Sequence, residues 1–298
     1  MKIVISGASG LIGKSLVSQL QQHGHDVVRL VRRAASTGEI MWDPKAGVLS
    51  ASALEGTDAV IHLSGAGIGD KRWTATYKRE ILESRTITTN LLATTIASMN
   101  RKPSVFLSGS AIGIYGPRGE EQLTEVSTHG TSFLADVCEQ WEHAAKPASD
   151  AGIRTVLLRT GIVLTTKGGA LKKQLPLFQL GLGGKFGNGK QWQSWISIDD
   201  EVGAIEHLLT ANVSGAVNLT APNPVINAEF TSTLARVVKR PTFLPIPPFA
   251  PKAILGGELA DALLFTGQRV IPAALNASGY QFVHPTLEVA LRALLKNS

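Results

Sequence analysis

Seven residues near the amino terminus, Gly7-Ala8-Ser9-Gly10-Leu11-Ile12-Gly13, have the types and spacing to hold a diphosphate. They follow the apolar run Ile3-Val4-Ile5-Ser6 and open a stretch that reads as a helix through about His23. Strand, glycine-rich turn and helix in that order are the context in which G-x-G-x-x-G binds a dinucleotide. Gly7 permits the tight turn, Gly10 lets the backbone approach a diphosphate, and Gly13 lets the helix pack near the strand. The loop amides around Ser9, Leu11 and Ile12, with the helix dipole, then favour phosphate charge. The next strand-like run, Asp26–Val31, ends in Arg32-Arg33. An acid there would accept hydrogen bonds from the ribose 2′-hydroxyl of NAD(H). Two guanidinium groups instead suit a 2′-phosphate through charge-assisted bonds. The expected cofactor is NADP(H).

These residues need a scaffold, and the chain alternates strand and helix signals up to about Gly161. Asp58–Leu63, Ser104–Ser108 and Thr155–Arg159 read as strands, and Tyr77–Met99 and Phe133–Ser149 as helices. Such alternation implies right-handed β-α-β units and a parallel sheet. The expected fold is a Rossmann-like, doubly wound α/β sheet over residues 1–161. Residues 162–298 are expected to form mainly a smaller substrate-side lobe, with segments returning to the core and a C-terminal region at about 245–298. Gly181–Gly189 reads as a loop able to approach a ligand, and Pro241–Pro251 as an irregular connection. Phe249–Ser298 reads as largely helical, broken at Pro272 and Pro285.

Composition narrows the function classes. At 298 residues with 44% apolar and 17% charged residues, the chain can bury a large core and is not globally disordered. Lys and Arg (29) exceed Asp and Glu (23), giving +6, but the basic residues are scattered, so no nucleic-acid partner is expected. The single cysteine excludes an intramolecular disulfide framework, and the seven histidines form no metal-ligand pattern. No stretch of 18 apolar residues and no charged-then-apolar leader occur, so a cytoplasmic protein off the membrane is expected. Arg72, Lys185 and Lys190 offer positive charge to a small anionic or nucleotide-linked substrate. Trp73, Trp192 and Trp195 offer flat apolar faces to it, or pack between lobes.

Longer stretches carry a family resemblance: Ile61-His62-Leu63-Ser64-Gly65, Arg72-Trp73, Ser84-Arg85, Ser108-Gly109-Ser110-Ala111, Leu158-Arg159-Thr160-Gly161, Trp195–Asp200, Asn227–Phe230 and Gly267–Pro272. On these the chain resembles the extended or atypical short-chain dehydrogenases/reductases. More narrowly it is similar to the NAD(P)-binding epimerase-like proteins sometimes labelled cell division inhibitors. The resemblance implies that His62, Leu63, Ser64 and Gly65 lie against the cofactor adenosine, and that Glu80 and Arg85 face the cofactor. It places Ser110 at the superfamily's catalytic serine, with Ser108 as the competing alignment on the cofactor side. It also exposes a departure. The superfamily uses a Tyr-x-x-x-Lys pair in which tyrosine moves the proton and lysine lowers its pKa and holds the nicotinamide ribose. Here Leu134 and Cys138 fall at those positions, and neither side chain does that work. Tyr115 stands either as a substitute acid or as a packing residue, and Cys138 as a buried structural thiol. Two functions therefore remain: an NADP(H)-dependent oxidoreductase or epimerase-like enzyme, and a catalytically reduced NADP(H)-binding sensor.

Overall fold

Strands that are apolar at successive positions need cover on both faces, and the sheet of this protein divides its side chains between two cores. The computed structural model describes residues 1–242 and 245–296. Seven strands pair in parallel: β1 (Lys2–Ser6), β2 (Asp26–Val31), β3 (Glu39–Met41), β4 (Ala59–His62), β5 (Val105–Ala111), β6 (Arg154–Thr160) and β7 (Gly215–Leu219). Their spatial order is β3-β2-β1-β4-β5-β6-β7. Ile3, Ile5, Ala59, Ile61, Val105 and Leu107 face one core, which α1 (Leu11–Gln22) closes with Leu16, Val17 and Leu20. Val4, Val60 and Phe106 face the other, under Leu92, Ala93 and Ile96 of α2 (Ala75–Ala97). The strand order reverses between β1 and β4, and in such sheets the crevice at the carboxyl ends of those strands receives the ligand. The expected doubly wound Rossmann-like fold is the one that forms.

Helix boundaries follow local chemistry. Thr74 caps α2 by accepting from the Tyr77 amide at 3.1 Å, and Ser132 caps α3 (Phe133–Ala144) by accepting from Ala135 at 3.2 Å. The helix expected over Phe133–Ser149 divides at Ala145, and Lys146–Asp150 restarts it with Pro147 in its first turn, where a missing N–H costs nothing.

Beyond Gly161 the chain does two things. The helix α4 (Ile198–Thr210) and β7 return to the sheet, with Ile205 and Leu208 entering the first core. The other segments are tied back to the earlier part of the chain by short ladders. Trp195–Ser197 pairs with Ile162–Leu164, and Arg269–Val270 pairs with Gln122–Leu123. The Glu125 carboxylate accepts from the amides of Asn218 at 3.0 Å and Ala274 at 3.1 Å, joining three distant segments at one oxygen. The C-terminal stretch is helical in pieces: Phe249–Leu255, Gly257–Ala260, a π turn Asp261–Phe265, Ala273–Ala277 and Leu287–Lys296. Within the proline-rich connection Phe243 and Leu244 lie outside the described residues, as do Asn297 and Ser298 of the expected terminal helix.

Candidate functional site

At the β1–α1 turn two of the three glycines are demanded by the protein itself. Gly7 has φ +72°, and a Cβ there would lie 2.6 Å from the Leu63 carbonyl carbon. A Cβ at Gly13 would lie 2.2 Å from the Gly7 carbonyl oxygen. Gly10 is different: its Cβ would meet only the Gly7 oxygen, at 3.2 Å, and Ser9 and Gly10 are exposed. α1 starts at Gly10 with no side-chain cap and no acid in its first turn. Its first amides, at Leu11, Ile12 and Gly13, are therefore free for an external anion at the positive end of the helix dipole. That cradle fits a diphosphate.

The two arginines after β2 have separate employment. Arg33 forks onto Glu39, with both N–O distances 2.7 Å, and also donates to the Ala34 carbonyl at 2.8 Å. Its hydrogen bond to Arg33 holds the Glu39 carboxyl below the usual carboxylate range. Arg32 is exposed and has no hydrogen-bond or ion-pair partner among the described residues. Arg33 thus braces its own loop, and Arg32 is the guanidinium left for a ligand.

The end of β4 corrects one expectation. The His62 side chain is fully buried; its Nδ1 lies 2.6 Å from Ser6 Oγ and its Nε2 3.2 Å from Thr88 Oγ1. Burial, with the charge of Arg85, pushes its pKa down to about 3, so the ring is neutral. Any cofactor contact at residue 62 must come from the backbone. Leu63 and Ser64 are half-buried and Gly65 is exposed on the rim of the crevice. On α2, Glu80 faces outward and pairs with Lys71 at 3.4 Å, whereas Arg85 turns inward against Gly65.

Around the ends of β5 and β6 lies a polar network that no local pattern announces. Arg159 forks onto Glu142 at 2.8 and 2.9 Å, with Arg159 buried and Glu142 partly so. Burial works against the Arg159 charge, but the hydrogen bonds and charge of Glu142 outweigh it and raise its pKa. Ser110, 4% exposed, donates to Glu142 Oε1 at 2.6 Å. Tyr115 is fully buried, donates to Asn218 Oδ1 at 2.7 Å and accepts from Arg159 at 2.9 Å. Burial raises the Tyr115 pKa. With its hydroxyl enclosed and engaged, Tyr115 is a structural member of the network rather than a substitute acid. Ser108 is buried, and its Oγ has no partner among the described residues. Cys138 is buried against Gly113, and burial, with Glu142 nearby, pushes its thiol up to about 12, so it is inert as a nucleophile at neutral pH.

The tryptophans divide as well. Trp195 is fully buried and donates to the Asn223 carbonyl at 3.1 Å, so its ring packs the core and offers no face to a substrate. Trp73 is half-buried, donates to Ile68 at 3.0 Å and packs edge-on against Phe133. Trp192 is half-buried, donates to Glu120 at 2.9 Å, and carries the Arg269 guanidinium 4.6 Å over its ring. Lys185 and Lys190 are exposed on the glycine-rich loop. Gly183 in that loop is required by packing, since a Cβ would lie 2.5 Å from the Phe178 ring. The loop borders an apolar cleft of about 200 Å³ that also includes Phe186, Ile246 and Pro251.

One buried acid makes a prediction of its own. Glu201 on α4 accepts from Thr160 Oγ1 at 2.9 Å, while its Oε2 has no partner among the described residues. Burial pushes its pKa up to about 8 from an ordinary 4.5. The folded protein therefore keeps a proton that the unfolded chain releases. That contribution is complete below about pH 4.5 and is lost as pH rises through about 8. Glu201→Gln is expected to stabilise by roughly 2–4 kcal/mol at pH 8.5 and by much less at pH 5. Thermal melts at the two pH values check this; an equal shift at both would contradict it.

Comparison with known proteins identifies the scaffold. A model described as the NAD dependent epimerase/dehydratase family matches residues 3–220, and one described as a domain of unknown function, DUF1731, matches residues 246–294. Epimerase family protein Mb2239 of Mycobacterium bovis is 43% identical over 291 residues, covering 97% of this chain and 96% of the relative.

The chain belongs to the NAD dependent epimerase/dehydratase family.

Among solved structures of the family, the human epimerase family protein SDR39U1 with NADPH superimposes with a TM-score of 0.93 at 35% identity, covering both chains completely. A nucleoside-diphosphate sugar epimerase from Corynebacterium glutamicum gives 0.79 at 38% identity, covering 99% of this chain and 58% of that longer one. Against this epimerase-family background the tyrosines stand out. The chain has three, Tyr77, Tyr115 and Tyr280, and the fourth residue after each is Ile81, Gly119 and His284. None forms Tyr-x-x-x-Lys. The residues that sequence reasoning missed are Glu142 and Asn218 as members of one network with Arg159. In the sequence Arg159 stands only within the family stretch Leu158-Arg159-Thr160-Gly161.

Proposed function

We propose that this protein binds NADP(H) and acts as an oxidoreductase or epimerase-like enzyme on a small anionic or nucleotide-linked substrate in the cytoplasm. The observation that carries the reading is the pairing of an uncapped, acid-free α1 N-terminus with the free guanidinium of Arg32. Amides of the Gly7–Gly13 loop, including Ser9, hold the diphosphate, and Arg32 takes the 2′-phosphate with Arg33 as its brace. Leu63, Ser64 and Gly65 line the crevice beyond. The NADPH in the human relative supports the cofactor, and the Corynebacterium relative, a nucleoside-diphosphate sugar epimerase, supports the substrate class. When bound, the nicotinamide supplies the hydride chemistry.

In this reading Ser110 is the group that meets the reacting oxygen. Its proton is committed to Glu142 Oε1, so its lone pairs are free to accept from a substrate hydroxyl. Glu142, fixed by Arg159, can then hold the relayed proton. Trp73 and Trp192 border the substrate side, with Arg269 adding charge. A second reading, an NADP(H)-binding sensor without turnover, is favoured by the absent Tyr-x-x-x-Lys and by the enclosed Tyr115 hydroxyl.

Calorimetric titration of the cofactor-stripped protein with NADPH and NADH tests the cofactor. NADPH is expected to bind at least tenfold more tightly, and Arg32→Asp to erase that preference, because it replaces a charge-assisted bond with repulsion. Equal binding of the two cofactors, or no effect of Arg32→Asp, would refute the 2′-phosphate assignment. Turnover of NADPH with a carbonyl or nucleotide-sugar panel, abolished by Ser110→Ala, separates the enzyme from the sensor.

A further inference from the structure

The helix Gly169–Gln179 turns Leu171, Leu175 and Phe178 inward, at amphipathic spacing. Its outward face would then be polar, yet Lys173 is followed there by Leu177 and Leu180, all three exposed. Leu182 folds back toward the same place, its amide donating to the Leu177 carbonyl at 2.8 Å. Leu177 lines the apolar cleft together with Ile254 of the helix Phe249–Leu255, and Phe249 stands beside the cleft residue Ala250. Leu180, Leu182, Phe249 and Ile254 are each 67% to 75% exposed. Large apolar side chains scattered singly over a surface mean little, but a cluster of this kind marks a binding face.

The rim of the face is basic. Lys172 and Lys173 lie one turn before Leu177, and Lys185 follows Gly183 and Gly184 of the cleft. Arg240 donates to the Gln179 carbonyl at 2.9 Å, with Lys239 beside it. All five cations are exposed, and none pairs with a carboxylate among the described residues. The segments that build the face are free of acid: no Asp or Glu occurs in residues 151–198 or 230–257, although the chain has 23. The next acids along the chain, Glu258 and Asp261, are already paired with Lys78 and Lys252.

This combination decides the occupant. A small ligand in a cleft of about 200 Å³ would cover Leu177 and Ile254 and leave Leu180, Leu182 and Phe249 in water. A second copy of the chain, docked through a two-fold axis, would set five cations against five. An anionic bilayer complements both parts: its phosphates meet the cations, and its acyl boundary takes the apolar side chains. We propose that this face seats the protein on an anionic lipid surface. The expectation of a protein off the membrane rests on the lack of a spanning stretch. No described helix is long and apolar enough to cross a membrane, and a surface seat needs none. The seat is independent of the NADP(H) reading.

Flotation of the full chain with vesicles tests it, using phosphatidylcholine alone and phosphatidylcholine mixed with phosphatidylglycerol. The mixed vesicles are expected to bind at least about tenfold more tightly, and the advantage to shrink as salt is raised. Leu180→Ser combined with Leu182→Ser is expected to weaken that binding by about tenfold or more. Both side chains are exposed, so the melting temperature should hold. Lys172→Gln combined with Lys173→Gln should reduce the preference for the anionic vesicles. Flotation with neither vesicle, equal binding to both, or undiminished binding of the leucine variant would overturn the proposal. So would sedimentation of a dimer that the leucine variant returns to monomers, which would give the face to a second copy.

Discussion

Replacing Arg159 by methionine is expected to destabilise the protein by about 3–5 kcal/mol, because it strands a carboxylate in the interior. Glu142 would keep only the Ser110 hydroxyl as a partner, and the Tyr115 hydroxyl would lose its donor. The Glu125 carbonyl would also lose its 3.2 Å contact with Arg159. For a chain of this size the loss corresponds to a fall of roughly 10 °C in melting temperature. Removing both charges, as Glu142→Leu with Arg159→Met, should recover much of the loss, since a buried pair and an apolar isostere are often near balance. Urea unfolding measures both variants. A single-variant effect below about 1 kcal/mol would mean that water reaches Glu142 and that the network is not sealed.

The glycine turn yields the second large effect, and it divides by position. Gly13→Ala improves helix propensity by about 1 kcal/mol in an open helix. Here its Cβ would sit 2.2 Å from the Gly7 carbonyl oxygen, and backbone must move. The net expectation is a loss of about 2–3 kcal/mol together with at least tenfold weaker NADPH binding, because the displaced turn carries the phosphate amides. Gly10→Ala meets only a 3.2 Å contact and should change stability by less than about 1 kcal/mol. It should nevertheless weaken NADPH, since Gly10 stands exposed at the turn proposed to hold the diphosphate. Parallel melting and titration of the two variants decide the matter. If Gly10→Ala binds normally, the loop does not approach a phosphate as closely as proposed.

The parts of this site that were legible from residues alone are contiguous. The glycine turn and the arginines after β2 sit within one β-α-β unit, so spacing alone carries their meaning. The remainder depends on contacts across the sheet. Tyr115 is 103 positions from Asn218, and nothing near Tyr115 indicates that its hydroxyl is already engaged. Arg33 and Arg32 are indistinguishable as letters; only Glu39, at the start of the three-residue β3, separates them. β7 was hard to see because Gly215-Ala216-Val217-Asn218-Leu219 has neither an apolar run nor clean alternation. In the sequence Trp195 stands as either a flat face for a substrate or a residue packed between lobes. Pairing of Trp195–Ser197 with Ile162–Leu164 turns it into the core.

The Glu125 carboxylate has a temporal consequence. Its two donors, Asn218 and Ala274, lie 93 and 149 positions farther along the chain. At synthesis rates of about 5–20 residues per second, on the order of ten seconds pass between making Glu125 and making Ala274. During that interval the Gln122–Leu123 edge also waits for Arg269–Val270. The nascent sheet domain therefore stays incomplete until Ala274 has left the ribosome. Termination before Arg269 should yield a chain handled by chaperones and proteases rather than a smaller folded protein.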